Sequence, residues 1–170
     1  DVMTNVAYRA SGFDSKRVMG MAGILDTARF RAFLADEINV SPKDIQALLM
    51  GGHGDSMVPL PRFTTVAGMP VTQFVNKDRL DEIVERTKKG GGEIVGLMGT
   101  SAWYAPGSAA AQMVEAIALD QNRIFPVCAR LEGEYGYDDL YIGVPVKLGE
   151  GGIKNIVEVE LNDDERKSLD

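Results

Sequence analysis

Met50-Gly51-Gly52-His53-Gly54-Asp55-Ser56-Met57-Val58-Pro59-Leu60 carries the only histidine in 170 residues, set between glycines and followed by an acid and a hydroxyl. The apolar run Ile45-Gln46-Ala47-Leu48-Leu49-Met50 ahead of it reads as a buried strand or a short helical piece. The glycines end that element abruptly and permit backbone turns closed to other residues. A side chain on such a turn stands at the edge of a rigid element, where reactive groups are often held. Histidine is also the side chain whose unperturbed pKa lies near neutrality, which suits proton transfer. A lone histidine is more often structural than catalytic, so the neighbouring sequence has to decide.

The decision comes from a second segment upstream, Met21-Ala22-Gly23-Ile24-Leu25-Asp26-Thr27-Ala28-Arg29-Phe30, with 23 residues between Arg29 and His53. Together the two segments, in this order, resemble the aspartate-arginine helix and the active-site histidine segment of the lactate/malate dehydrogenase family, in particular its malate enzymes built like lactate dehydrogenases. The resemblance runs over essentially the whole chain but matches only the C-terminal half of such an enzyme. It implies an α+β fold with helices packed on antiparallel sheet, residues 1–170 forming the substrate-binding and catalytic domain. The dinucleotide-binding N-terminal domain would lie outside these residues. The implied reaction is interconversion of (S)-malate and oxaloacetate with NAD, the cofactor being held mainly by that other domain.

The same resemblance implies roles. His53 would exchange the proton of the substrate hydroxyl, Asp26 would fix and charge-balance the imidazole, and Arg29 would grip a carboxylate of a small dicarboxylate substrate. The family also implies a homodimer or homotetramer, and no metal is required. Ala102, aligned through Ala105 and Gly107, stands where lactate enzymes usually have threonine, leaving room for a larger diacid. The family's substrate-contacting asparagine, from an Asn-Pro pair, would precede Asp1.

Residue types and spacing bear separately on the Asp26–Arg29 pair. On a helix from Ile24 to Asn39, Asp26, Arg29, Phe30, Phe33 and Leu34 share one arc of roughly 140°. An exposed Asp-Arg pair at i,i+3 is common and contributes only tenths of a kcal/mol. This pair shares its stripe with two phenylalanines, and a charge on an apolar stripe must be paired or serve a site.

Composition narrows the alternatives. With 45% hydrophobic and 25% charged residues, the chain reads as a single globular domain able to bury a core. A net charge of −7 argues against a nucleic-acid surface, and Lys88-Lys89 is the only adjacent basic pair. No apolar run approaches the roughly 20 residues of a membrane span, and Asp1-Val2-Met3 does not begin like a signal peptide. One cysteine, Cys128, cannot form an internal disulfide, which fits a reducing cytoplasm.

Along the chain, residues 2–10 have helical periodicity ended by Gly12, and Arg17 to Gly20 reads as a short strand. Residues 57–75, with three prolines, read as short antiparallel edge strands turning at Gly68-Met69-Pro70. Asn76 or Asp78 caps a helix with Leu80, Ile83, Val84 and Thr87 inward, and Gly90-Gly91-Gly92 is expected to interrupt it. That triplet lacks the spacing of a phosphate-binding loop. A loop holding Trp103, placed beside the substrate by the resemblance or else closing the core, leads to a helix from Ala109 to Gln121, capped by Ser108. It is apolar on nearly every side and so expected to be buried. Residues 124–131, 140–148 and 153–159 read as an antiparallel meander, and Asn162 begins a last helix.

Two other readings remain at this level. One keeps the fold but makes the enzyme a lactate or other 2-hydroxyacid dehydrogenase. The other is a folded, self-associating piece with no activity of its own.

Overall fold

The computed structural model describes residues 1–169. Helix α1 (Val2–Ser11) ends at Gly12, whose φ of 66° is the left-handed conformation glycine adopts without penalty. Helix α2 (Ala22–Ile38) ends on Asn39, also left-handed. Five short strands follow: β1 (Ile45–Gln46), β2 (Leu49–Gly51), β3 (Met57–Pro59), β4 (Thr65–Val66) and β5 (Met69–Pro70). The apolar run before His53 is therefore two short strands, β1 and the start of β2, parted by Ala47 and Leu48. Helices α3 (Lys77–Met98) and α4 (Tyr104–Ala118) precede a meander of β6 (Arg123–Glu132), β7 (Asp138–Gly149) and β8 (Gly152–Ile156). Helix α5 (Asp163–Leu169) closes the described chain. The fold is α+β, with helices on antiparallel sheet.

The larger sheet runs β3-β2-β7-β6, with β8 also on β7; the smaller runs β1-β4-β5. The two touch different parts of α2. Its first turns place Ile24 and Leu25 in a core formed with Val127, Val144, Val146 and Leu148 of the large sheet and with Ala109 and Met113 of α4. Its later turns place Phe30 and Leu34 in a second core with Ile45, Val66 and Val71 around the small sheet and with Leu80 and Ile83 of α3. Asp26 and Arg29 fall where α2 passes from one core to the other.

Strand β2 joins β7 through one residue pair, Gly51 opposite Gly143. A Cβ on Gly143 would stand 2.5 Å from the Gly51 carbonyl oxygen, so a side chain there would part the strands. Gly51 itself has φ 81°. This contact fastens the histidine loop to the centre of the sheet.

Six expectations need correction. Arg17 to Gly20 is not a strand: Asp14 accepts a hydrogen bond from the Lys16 N–H and turns Ser15–Arg17 into a single 3-10 turn, leaving only Gly20 bridged to Cys128. The hairpin between β4 and β5 turns at Ala67 and Gly68, both left-handed, with Met69-Pro70 already in β5. Gly90-Gly91-Gly92 does not interrupt α3, which continues unbroken to Met98 because packing and ion pairs outweigh helix propensity. Helix α4 starts at Tyr104 rather than after Ser108, since Pro106 falls in the first turn, where its missing N–H would have had no helical partner. Nor is α4 buried all round: Ala109, Met113 and Ala116 face the core, while Tyr104 and Val114 are 86% and 64% exposed. Trp103 is 63% exposed and does not close the core.

Candidate active site

Three elements meet at the site: the loop after β2, helix α2 and helix α3. His53 is the second residue after β2, and α2 presents Asp26 and Arg29 beside it. His53 Nδ1 lies 2.8 Å from Asp26 Oδ2, and Arg29 Nη1 lies 3.5 Å from Asp26 Oδ1. One carboxylate thus takes the imidazole on one oxygen and the guanidinium on the other. With Nδ1 donating its proton to Asp26, the other ring nitrogen, Nε2, is left as the acceptor. The carboxylate is 3% exposed and the imidazole 48%, so the ring reaches outward from a buried anchor.

Burial pushes the Asp26 carboxyl above the usual carboxylate range, and the His53 hydrogen bond, with the charges of His53 and Arg29, pulls it back. An anion here is tolerated because both oxygens have partners. Arg31 points elsewhere, as the helical wheel requires, donating to the Pro42 carbonyl. The Arg29 side chain is 12% exposed and its Nε has no hydrogen-bond partner among the described residues. Arg29 also borders a cleft of about 240 Å³ between α2 and α4, lined by Leu25, Ala28, Ala32, Ala105 and Ser108. It is the one charged side chain on a wall otherwise mostly apolar.

Sequence reading brought His53, Asp26 and Arg29 forward, and the structure brings all three together. It missed three neighbours. Asp1 Oδ2 accepts the His53 backbone N–H at 3.3 Å, a contact that no local pattern encodes. Gly90 and Gly91 of α3 lie against Arg29; the glycine run was visible but reads as a helix breaker. No group of three or more His, Cys, Asp or Glu able to hold a metal ion occurs among the described residues.

The model for the lactate/malate dehydrogenase α/β C-terminal domain matches residues 24–170. The chain belongs to the lactate/malate dehydrogenase family. Within that family it is 66% identical to a malate dehydrogenase of Salinibacter ruber over 169 residues, which is 99% of this chain and 54% of that protein. The crystal structure of malate dehydrogenase from Salinibacter ruber superposes with a TM-score of 0.98, covering 99% of this chain and 55% of that one. Malate dehydrogenase from Plasmodium falciparum in complex with NADH is 35% identical, with a TM-score of 0.96 over 99% and 57% of the two chains. Lactate dehydrogenase from Eimeria maxima with NADH and oxamate is 40% identical, with a TM-score of 0.95 over 99% and 53%. The chain spans about half the length of the curated relatives it matches.

Proposed function

We propose that residues 1–170 are the substrate-binding and catalytic domain of an NAD-dependent malate dehydrogenase, and that His53, Asp26 and Arg29 are its working residues. The observation that carries this reading is the single buried carboxylate of Asp26 holding both His53 and Arg29. Exposed surface pairs have no reason to converge on a buried acid.

In malate oxidation, His53 Nε2 accepts the C2 hydroxyl proton as the C2–H bond breaks and the carbonyl forms. The resulting imidazolium is balanced by Asp26 through Nδ1. In reduction, the same ring returns the proton to the carbonyl oxygen. Arg29 offers its guanidinium to the C1 carboxylate; its planar donors fit two carboxylate oxygens, which a lysine cannot reproduce. NAD would supply the hydride acceptor. Residues 1–169 contain no cradle for it: the one glycine triplet lies inside α3, with none of the spacing of a phosphate loop. We assign cofactor binding to a dinucleotide domain outside this chain; the NADH complex of the Plasmodium falciparum relative supports the use of NAD.

The exposed Tyr104, Val114 and Leu119 of α4 and its flanks support self-association into a homodimer or homotetramer. The lone buried cysteine and the absence, among the described residues, of any helix long and apolar enough to cross a membrane fit a cytoplasmic enzyme. Because the Eimeria maxima lactate enzyme superposes so well, the fold does not choose between malate and lactate. Turnover of the full-length enzyme with NADH and either oxaloacetate or pyruvate does. A preference for pyruvate overturns the malate reading; turnover of neither overturns the dehydrogenase reading.

A further inference from the structure

We infer that Gly90 and Gly91 of α3 are positioning residues that form a bare-backbone floor under Arg29 and set the plane in which its guanidinium meets the substrate carboxylate. The inference rests on the reading of Arg29 given under Proposed function.

A Cβ on Gly90 would stand 3.2 Å from Arg29 Cδ and 3.7 Å from its Nε. A Cβ on Gly91 would stand 3.7 and 3.8 Å from Nη1 and Nη2. The stem and the fork of the arginine therefore lie along two successive residues that have no side chain. Gly92 differs: a Cβ there would meet nothing within 4 Å. Hydrogen bonding constrains the guanidinium weakly, since Nε is buried without a partner and the bond to Asp26 is 3.5 Å long. Its aim is therefore set by shape, and the shape is that of the α3 backbone.

Three successive glycines weaken a helix, and the structure braces this one from outside. Arg86 donates to both carboxylate oxygens of Glu93, at 3.1 and 2.7 Å, bridging the glycines from one side to the other. The same guanidinium stacks over the Phe33 ring of α2, 4.0 Å from its centroid. The brace keeps the glycine turn helical and pressed on α2 near Arg29. A two-bond grip on a carboxylate tolerates little tilt, so the floor governs how well the substrate is held.

The test is steady-state kinetics of the full-length enzyme with oxaloacetate and NADH, on four variants with Tm measured for each. Gly92→Ala should raise Tm, because alanine favours helix, and leave kcat and both KM values within about twofold. Gly90→Ala makes the same propensity change but pushes the Arg29 stem by a few tenths of an ångström. It should raise KM for oxaloacetate by about 10-fold, with a smaller effect on kcat and none on KM for NADH. Gly91→Ala reaches only ordinary contact distance, folds without displacing backbone, and should raise the same KM by about 3-fold. Arg29→Lys separates the two levels of the argument. If it lowers kcat/KM sharply while Gly90→Ala and Gly91→Ala leave KM for oxaloacetate unchanged, the floor is refuted and the role of Arg29 stands. If Arg29→Lys itself is without effect, the underlying reading fails.

Discussion

Asp26 and His53 form a pair of opposite exposure: the carboxylate is 3% exposed, the imidazole 48%, and they meet at 2.8 Å across 27 residues of sequence. An anchor of this kind fixes the ring's direction while leaving nearly half of the side chain exposed.

Removing the ring should remove proton transfer. His53→Asn in the full-length enzyme is expected to slow turnover by roughly 10²–10⁴-fold with the fold intact. Rates are read by NADH absorbance and folding by circular dichroism. Turnover within tenfold of wild type would return His53 to a structural role.

Asp26→Asn should separate stability from activity. The folded-state pKa of Asp26 is raised, mainly by burial. Any stability from its protonated form is thus present below the unfolded value and lost as pH rises through the folded value. At pH 7 the ionised group opposes folding, so Asp26→Asn should match or exceed the wild-type Tm, the advantage shrinking toward pH 3. Turnover should fall at the same time. A markedly lower Tm at pH 7 would contradict this.

Arg29→Lys keeps the charge and loses the planar fork. We expect about 2–4 kcal/mol less transition-state stabilisation, read as kcat/KM for oxaloacetate. A near-normal value would make Arg29 an ordinary partner of Asp26.

Acid should loosen the far end of the chain. Glu165 is held below the usual carboxylate range by Arg62, whose Nη2 lies 2.8 Å away. A lowered folded-state pKa stabilises above the unfolded value and ceases to do so as pH falls through the folded one. Glu165→Gln should therefore lower Tm at pH 7 and change it little near pH 3; equal effects at both would remove charge as the cause.

The 170-residue chain alone is expected neither to bind NADH at micromolar concentration nor to reduce oxaloacetate, since its glycines form no phosphate cradle. Calorimetry with NADH checks the first and absorbance the second; micromolar binding would reveal a cofactor site in this half.

Much of this was legible in the residues. The stripe of Asp26, Arg29, Phe30 and Leu34 gives α2 its buried face, and the Asn76 side chain caps α3 by accepting the Arg79 N–H, as its position predicts. Asn162 and Glu165 cap α5 reciprocally. Local rules failed where tertiary contact decides. Glycine propensity predicted a break at Gly90, but its neighbour is Arg29 from another helix. The apolar composition of α4 predicted burial, but only Ala109, Met113 and Ala116 face the core while Tyr104 and Val114 stand exposed. The roles of the site residues came from family resemblance; geometry adds that the three converge.

Helix α1 has no buried residue and is held by a few contacts: Tyr8 against Tyr141 with ring centroids 5.7 Å apart, and Arg9 to Asp139 at 3.1 Å. Its leading residue, Asp1, is also the acceptor for the His53 N–H. In the 170-residue chain, an element so lightly anchored should open at low free-energy cost, its amide protons exchanging with solvent before those of the sheet. Each opening releases the His53 amide too. The histidine loop, fastened at Gly51 to the sheet, is thereby tied on its outer side to a helix that buries no residue.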